Sequence, residues 1–461
     1  MSCSNRCHNC PLCGIMFQKS GNKFALAKMS TKYSYGMRRK HMEKTMKKYK
    51  KIDTTLRPKR PNLFWYGLEK IIEGFYLAGT KTTIKRINCE GLKPPYLVIA
   101  THSSFVDFPM VNRCTKHRCT WVVSVEEFVG RNYVMRSIGG IYKHKFTNEP
   151  SVVRNVAYSI KKMNTTCTFF PEARFSLIGK TEPIDKALGK LAKLCKCPVV
   201  VIVMHGNFIR SPQWCKRPYR KVPLVAEMKQ VATLEEVQNL SAEEIQSRIE
   251  QAFVYNDYHW QLENKIKVDS PKRAHNIHRV LYQCPSCGEE FTTDSKDTKI
   301  WCKHCGKSWT MDEYGRLLAD DGKDIYTDPT EWYDYQAANV KKEVEAGTYR
   351  FEDDVYVEKL VSFSGKGFVR FPEVAHLVHD ENGFTVKGVH DGQSYTLHRD
   401  AISMSSVHIE YDFKGRGDAF DLFDGKDTYW IYPINKPNPL TKLHFAQIAL
   451  YNKLSAEAEN K

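Results

Sequence analysis

Apolar and polar positions change their period several times along the chain, and each change predicts a different kind of element. Between residue 84 and about residue 227, short apolar segments such as YLVIATH and VVVIVMHGN alternate with helical segments such as VVRNVAYSIKKM. Strands alternating with helices are typical of an α/β domain with a largely parallel sheet. We therefore predict this domain over residues 84–270, where a capping box at Ser241–Glu244 opens the helical segment that follows the strands.

The segment before this domain combines helical periodicity with a strong positive charge. Residues 62–80, NLFWYGLEKIIEGFYLAGT, carry apolar side chains at helical spacing. Residues 38–60 hold 11 Lys and Arg against only Glu43 and Asp53. We interpret 29–83 as a basic amphipathic segment that associates with an anionic membrane surface. The alternative is a helix that only packs on the next domain.

Net charge and cysteine content indicate the kind of partner and the cellular compartment. The 461 residues carry a formal net charge of +18, which favours a polyanionic partner, either nucleic acid or an anionic bilayer. No run approaches 18 apolar residues, so we predict no transmembrane helix. The opening MSCSNRCHNC lacks the apolar centre of a signal peptide. With 15 cysteines, eight of them at metal-like spacing, a reducing compartment is indicated, and we expect a cytoplasmic protein peripheral to the cytoplasmic face of the membrane.

Four cysteines between residues 279 and 318 have the spacing of a metal site. Cys284 and Cys287 form one C-x2-C pair, and Cys302 and Cys305 form a second one fourteen residues later. Each pair is followed by glycine, which suits tetrahedral thiolate coordination of Zn²⁺. Because thiolates would fill all four positions, we predict a closed, structural zinc ribbon.

A second group of cysteines lies in the Cys-rich head, residues 1–28. Cys3, Cys7, Cys10 and Cys13 are close enough in sequence to bind one metal ion. A second zinc site, an iron–sulfur cluster and four reduced cysteines remain open as interpretations.

Residues 327–456 change to aromatic, alternating segments with glycine turns, followed by a closing helix, LTKLHFAQIALYNKL. This pattern predicts an α+β domain that is mostly antiparallel and β-rich. Its order of strands and then a helix vaguely resembles pleckstrin-homology-like domains. Such a domain could bind a lipid headgroup or a protein partner, and the alternative is an interaction domain without chemistry of its own.

The first candidate for chemistry is a histidine just past a buried strand. In YLVIATHSSFVDFP, His102 follows the strand and Asp107 comes five residues later. Ligands of α/β sheets gather at the carboxyl ends of strands. A carboxylate on one imidazole nitrogen fixes the tautomer and leaves the other nitrogen free as a general base. Taken alone, the pair is also compatible with a capping residue beside a salt bridge.

Two further segments supply candidate substrate-binding residues. FPEARFS, which also ends an apolar strand, presents Glu172 and Arg174. Arginine offers a planar fork suited to phosphate. In SIGGIYKHK, paired glycines precede Lys143 and Lys145, which could bind phosphate as point charges. We predict Glu172, Arg174, Lys143 and Lys145 as substrate-binding residues.

Four blocks in this order resemble the lysophosphatidic acid acyltransferase family. HSSFVD is similar to that family's H-x4-D block, SIGGIYKHK to its Gly-x-Ile-Phe-Ile-Asp-Arg block, and FPEARFS to Phe-Pro-Glu-Gly-Thr-Arg-Ser. CPVVVIVMHG is similar to its last, apolar block. The resemblance spans roughly residues 62–230. Ala173 replaces a glycine of the third block, and Phe175 stands where the family has arginine.

The resemblance implies an acyltransferase in which His102 is the base and Asp107 orients it. It implies acyl-CoA or acyl-carrier-protein as the acyl donor and a lysophospholipid as the acceptor, with 1-acyl-glycerol-3-phosphate as the default. The alternative function is a module that binds nucleic acid or protein, with a zinc ribbon and a catalytically degenerate acyltransferase fold. The cations concentrate beside the aromatic helix and not in the ribbon, so we do not expect nucleic acid as the partner.

Overall fold

A computed structural model describes residues 53–360 and 367–459, all within one compact unit, Tyr49–Lys461. The strands up to residue 232 are β1 (Thr82–Ile87), β2 (Leu97–Ala100), β3 (Cys119–Ser124), β4 (Gly140–Lys143), β5 (Thr166–Phe169), β6 (Val199–His205) and β7 (Leu224–Ala232). The helices up to residue 263 are α1 (Leu63–Leu77), α2 (Asp107–Thr115), α3 (Asn132–Ser137), α4 (Pro150–Lys161), α5 (Leu188–Cys195), α6 (Asn207–Arg210), α7 (Leu234–Asn239), α8 (Ala242–Ala252) and α9 (Asp257–Glu263).

These seven strands form one sheet in the order β1-β7-β6-β2-β5-β3-β4. The five strands from β6 to β4 are mutually parallel, whereas β7 pairs antiparallel with β6 and parallel with β1. All four residues of β2 are buried, as expected of a central strand covered on both faces. The predicted α/β class with a largely parallel sheet is confirmed.

Helices cover both faces of this sheet, and its parallel central strands define one edge where their carboxyl ends meet. Val98 of β2 packs in the same core as Met110 of α2, whereas Leu97 belongs to the opposite core with Leu188 and Ile245 of α5 and α8. Because β2, β5 and β6 are parallel neighbours, their carboxyl ends lie at one edge. The segments that follow these three strands therefore meet there.

Several elements of this first domain differ from the sequence-based expectation. Strands β4 and β7 were not predicted. The helical segment that opens at the Ser241 capping box, which the structure confirms, is two helices and not one. It breaks because Asn256 caps α9 by accepting hydrogen bonds from the backbone N–H groups of Tyr258 and His259.

The rest of the chain contains two antiparallel sheets. The first has four strands in the order β11-β10-β9-β8, and of the four ribbon cysteines Cys302 ends β9 while the other three lie outside its strands. The second has eight strands, seven in the order β16-β15-β14-β12-β19-β18-β17 with β13 paired to β12. The strands are β8 (Thr293–Lys296), β9 (Lys299–Cys302), β10 (Ser308–Met311), β11 (Leu317–Ala319), β12 (Phe351–Leu360), β13 (Phe368–Arg370), β14 (Ala375–Asp380), β15 (Gly383–His390), β16 (Gln393–Arg399), β17 (His408–Glu410), β18 (Ala419–Phe423) and β19 (Thr428–Pro433), and the helices are α10 (Pro329–Glu345) and α11 (Leu440–Glu459).

The β-rich C-terminal domain with its closing helix is confirmed as a class, but it begins with α10, a helix that was not predicted. Asp328 caps this helix and Pro329 occupies its first turn. Trp332, Gln336 and Val340 recur at helical spacing and are buried. The period of these positions is that of a helix, so the sequence did carry a usable signal for α10.

Helix α10 joins the three predicted domains. Trp332 lies 4.8 Å from Trp309 of the ribbon, between ring centroids, and donates a hydrogen bond to the carbonyl of Gln283. On the other side, the Tyr333 hydroxyl donates to Glu182 of the first domain at 2.9 Å. The predicted domains therefore pack against one another through this helix, while their exact boundaries stay predictions.

Helix α1 presents apolar side chains to solvent. Phe64, Ile71 and Phe75 are 71%, 59% and 78% exposed and lie one or two turns apart. Phe105, in the turn before α2, is also exposed, and its ring lies 4.9 Å from that of Tyr76 of α1. None of the helices in 53–360 and 367–459 is both long enough and apolar enough to cross a bilayer.

Candidate active site

His102 and Asp107 lie together at the carboxyl end of β2, as predicted. Asp107 is the first residue of α2, and its Oδ2 atom lies 2.9 Å from Nδ1 of His102. A carboxylate only accepts hydrogen bonds, so Nδ1 of the neutral ring carries the hydrogen and Nε2 keeps its lone pair. The sequence spacing thus produces a histidine whose outer nitrogen can accept a proton.

The Asp107 carboxylate is fully buried and receives several hydrogen bonds. The backbone N–H groups of Ser103 and Ser104 donate to Oδ2 at 2.6 and 2.9 Å, because the turn before α2 aims its free donors at this atom. The side-chain amide of Asn207 donates to Oδ1 at 2.6 Å. Such charge-assisted bonds stabilise the ionised form of a buried carboxylate.

Aromatic rings enclose the imidazole of His102. The Phe170 ring is stacked on it at 4.0 Å between centroids and 14° between planes, and the Phe175 ring lies 4.2 Å away. Only 13% of the His102 side chain is exposed. The base candidate therefore lies in an apolar setting of low local polarity, where its contact with the Asp107 carboxylate is little screened.

Glu172 holds the backbone of His102. Its carboxylate accepts a hydrogen bond from the His102 N–H at 3.0 Å and another from the Tyr255 hydroxyl at 2.9 Å. The carbonyl of His102 in turn accepts a bond from the Ser176 N–H at 2.7 Å. Burial raises the pKa of Glu172 to about 8, although the hydrogen bonds from the His102 N–H and the Tyr255 hydroxyl and the guanidinium of Arg174 oppose the rise. Substrate binding by Glu172 stays a prediction. In the structure, its carboxylate contacts the His102 backbone and the Tyr255 hydroxyl.

Ala173, next to Glu172, adopts a backbone conformation that favours glycine. Its φ angle is +55°. A residue with a Cβ atom pays roughly 1–2 kcal/mol to enter this left-handed region. The family block to which FPEARFS is similar has glycine at this position, so this chain keeps a turn for which glycine is the easier residue.

Arg174 points away from His102 toward the C-terminal domain. Only 4% of its side chain is exposed, and its guanidinium forms a salt bridge with Glu182. It also donates to the Ser406 hydroxyl and lies 3.2 Å from Nε2 of His444 in α11. We call this group, Arg174, Glu182, Ser406 and His444, the clasp. The guanidinium predicted to bind substrate phosphate is therefore engaged between two domains.

The two lysines predicted to bind phosphate also have partners within the chain. The ammonium group of Lys145 lies 3.0 Å from Nδ1 of His408 and 3.5 Å from Asp421, both in the C-terminal sheet. Lys143 donates to the carbonyl of Thr147 at 2.7 Å, and burial lowers its pKa. Phosphate binding by these lysines and Arg174 stays a prediction, and a phosphate would share or compete for each cation with these partners.

Sequence reasoning missed Asn207, Tyr255 and the two phenylalanines at His102. Asn207 directly follows the apolar block that ends in His-Gly, so its place after the strand β6 was a usable signal. Tyr255 gave none, because it reaches Glu172 from 83 positions away. Phe175 was noted only as a departure from the family block.

The four ribbon cysteines converge on one point, as predicted. Sγ of Cys284 lies 3.8 Å from that of Cys305, and Sγ of Cys287 lies 3.8 Å from that of Cys302. A tetrahedron of thiolates about 2.3 Å from a zinc ion has edges of about 3.8 Å. These residues can therefore hold a metal ion, and their geometry fits zinc. The cysteines of the N-terminal head, Cys3, Cys7, Cys10 and Cys13, lie outside the described residues.

Comparison with known proteins supports the resemblance drawn from the four sequence blocks. Residues 75–205 match the family model described as Acyltransferase. This part of the chain is therefore similar to acyltransferase domains, and the resemblance is confirmed.

A crystal structure of the 1-acyl-sn-glycerophosphate (LPA) acyltransferase PlsC from Thermotoga maritima is also similar to the chain. The two are 18% identical with a TM-score of 0.33, over 41% of this chain and 75% of that one. No curated protein matches the sequence.

The clasp generates a prediction about stability. Replacing Arg174 by Met should lower the free energy of unfolding by about 3–5 kcal/mol, because it leaves the Glu182 carboxylate buried without its guanidinium. Denaturant titration of the full chain measures this loss. The matched control is Arg131→Met, whose exposed bridge to Glu127 should contribute at most about 1 kcal/mol.

A second substitution separates charge pairing from packing. If the buried charge causes the loss, Arg174→Met combined with Glu182→Leu should regain much of it. Equal unfolding free energies for Arg174→Met and wild type would contradict the role assigned to the clasp.

Proposed function

We propose that this protein transfers a fatty acyl chain from acyl-CoA or acyl-carrier-protein to the free hydroxyl of a lysophospholipid. The carrying observation is the contact between Nδ1 of His102 and Asp107 at the sheet edge of a domain similar to acyltransferase domains. The Asp107 carboxyl group is fully buried there and accepts hydrogen bonds from two backbone N–H groups and from the Asn207 amide.

In the proposed reaction, His102 acts as general base and then as general acid. Nε2 takes the proton of the acceptor hydroxyl while the hydroxyl oxygen attacks the thioester carbonyl carbon. Asp107 stabilises the imidazolium that forms. When the tetrahedral intermediate collapses, the carbon–sulfur bond breaks and the departing thiolate takes the proton from Nε2. The proton thus passes from the acceptor hydroxyl through Nε2 to the thiol product, and no covalent bond to the enzyme forms.

For the acceptor, we propose 1-acyl-glycerol-3-phosphate as the first lysophospholipid to assay, giving phosphatidic acid. The support is the sequence resemblance of the four blocks. The ion pairs of Arg174 and Lys145 argue against this acceptor, because its phosphate would compete with Glu182 for Arg174 and with Asp421 for Lys145. A panel of lysophospholipids is therefore part of the activity assay.

Replacing His102 by Ala tests the proposed base. With no group to accept the hydroxyl proton, turnover should fall by roughly 10²- to 10⁴-fold. The measurement is labelled acyl-CoA or acyl-carrier-protein incubated with a panel of lysophospholipids, followed by lipid extraction. Full turnover in a folded His102→Ala protein would refute the mechanism.

The chain offers a matched control for this test. Nδ1 of His205 lies 3.1 Å from Asp257, so this histidine also pairs with a buried carboxylate, at the end of the neighbouring strand β6. His205→Gln should keep turnover within about threefold of wild type. An equal loss in both variants would point to damaged folding and not to a lost base.

We also propose that α1 binds an anionic membrane surface, so that the protein lies peripherally on the cytoplasmic face. Phe64, Ile71 and Phe75 are exposed along one side of this helix, and the sequence before it is rich in cations. Apolar side chains inserted at the bilayer boundary beside cations attract anionic lipids.

A triple variant tests this proposal. Phe64, Ile71 and Phe75 replaced together by Ser should release most of the protein from phosphatidylglycerol-containing vesicles in a sedimentation assay, because the inserted apolar area is lost. Val254→Ser, which removes an exposed apolar side chain outside α1, is the control. Unchanged sedimentation of the triple variant would contradict the proposed surface.

For the ribbon, we propose that Cys284, Cys287, Cys302 and Cys305 bind one structural Zn²⁺. The support is the pair of 3.8 Å sulfur–sulfur distances and the closed set of four thiols. The ion would fix the two cysteine turns of the ribbon, which α10 connects to the first domain.

Metal analysis of the purified chain checks the zinc proposal. We expect about one zinc per chain, and less than a fifth of that after Cys287→Ser and Cys305→Ser are combined, because two thiolates do not hold the ion. Cys89→Ser, outside the cluster, should leave the content unchanged. Equal zinc in the double variant and the wild type would exclude these ligands.

A further inference from the structure

Asn207, at the start of α6, reaches into the site from the neighbouring strand. Its side chain is fully buried, and its Nδ2 atom lies 2.6 Å from Oδ1 of Asp107, one hundred positions away in sequence. A carboxylate oxygen cannot donate, so the amide nitrogen must face Asp107. This geometry fixes the orientation of the Asn207 amide.

The turn that places Asn207 is specific. Gly206, between β6 and α6, has a φ angle of +83°, and a Cβ atom there would lie 2.3 Å from the carbonyl oxygen of Pro223. Only glycine fits this turn. Its N–H also donates to Asp257 at 3.2 Å, which ties the turn to α9. Asn207 is thus held at Asp107 by a rigid backbone and not by a mobile loop.

The two oxygens of Asp107 have different partners. Oδ2 contacts His102 and the backbone N–H groups of Ser103 and Ser104. For Oδ1, the Asn207 amide is the one hydrogen-bond donor found among the described residues. Removal of this donor would therefore leave half of a buried carboxylate without a partner.

We propose that Asn207 is a positioning residue that keeps Asp107 ionised while His102 takes up and returns a proton. This inference rests on the proposed function. Without the amide, the state with Asp107 ionised and His102 neutral is the most destabilised, because it is a buried anion that has lost a donor and has no cation beside it. The first protonation of the pair then moves to higher pH. Active enzyme has this pair unprotonated, so the acid limb of the kcat profile moves to higher pH as well.

Asn207→Leu removes the donor at similar volume. On the acid limb of the profile, kcat should fall by about 10- to 100-fold, which corresponds to the free energy of one charge-assisted hydrogen bond to a buried group. KM for the acyl donor should stay within about twofold, since Asn207 touches no substrate in the proposed reaction. The acid limb of the kcat profile should move upward by at least one pH unit.

Two further variants keep the test decisive. Asn264→Leu removes an amide that donates to the Trp260 carbonyl on the surface, and it should leave kcat and its pH profile unchanged. If Asn207→Leu does not fold, Asn207→Ser, which is smaller and remains polar, takes its place with the same expected direction. A folded Asn207 variant whose kcat falls equally at all pH values, or does not fall, would overturn the inference.

A second measurement separates this inference from the proposed function. The ring of His102 is titrated by carbon-13 NMR in histidine-labelled full-length protein, with His102→Ala used to assign its signal. The titration midpoint should lie higher in Asn207→Leu than in wild type, whether or not His102 is the base. Activity retained in His102→Ala would overturn the function alone, while an unchanged midpoint would overturn the role of Asn207 alone.

Discussion

The rest of the site depends on one buried negative charge, the carboxylate of Asp107. A charge removed from water is tolerated only when the protein supplies partners for it. Here they come from the turn before α2, from the His102 ring and from the end of β6. The order β6-β2-β5 is what brings these sources together, because the neighbouring parallel strands end at the same edge. The placement of the histidine is therefore a property of the sheet and not of a single loop.

The segment after β5 serves two interfaces at once. Glu172 faces the sheet and holds the backbone of His102, whereas Arg174, two residues on, faces the C-terminal domain. Phe175 then returns to the His102 ring. Successive side chains of one short segment thus couple the base candidate to α11. Without the C-terminal domain, the ion pair of Arg174 and Glu182 would lose the contacts of Arg174 with Ser406 and His444.

What could be predicted from the sequence was local. His102 and Asp107 are five positions apart, and the ribbon cysteines form two C-x2-C pairs separated by fourteen residues, which is a recognisable metal-site spacing. The parallel sheet followed from the apolar runs. Asn207 and Tyr255, by contrast, reach their carboxylates across 100 and 83 positions, and no spacing rule covers such distances. Strand β7 and helix α10 were missed although both carry a local signal, since β7 alternates in burial and α10 buries residues at helical spacing. For Arg174, residue type suggested phosphate, while two of its partners, Ser406 and His444, lie 232 and 270 positions away, beyond the range of any local pattern.

The clasp also bears on the order in which the chain is made. A ribosome produces β2, β5 and β6 before it reaches Ser406 and His444, so the sheet can assemble while Arg174 still lacks its last two partners. The segment that steadies His102 is completed only after Ser406 and His444 have been synthesised. Chains that stop before these residues would hold the histidine and its carboxylate but not the finished support around them. Maturation of the site is in this sense tied to synthesis of the C-terminal domain.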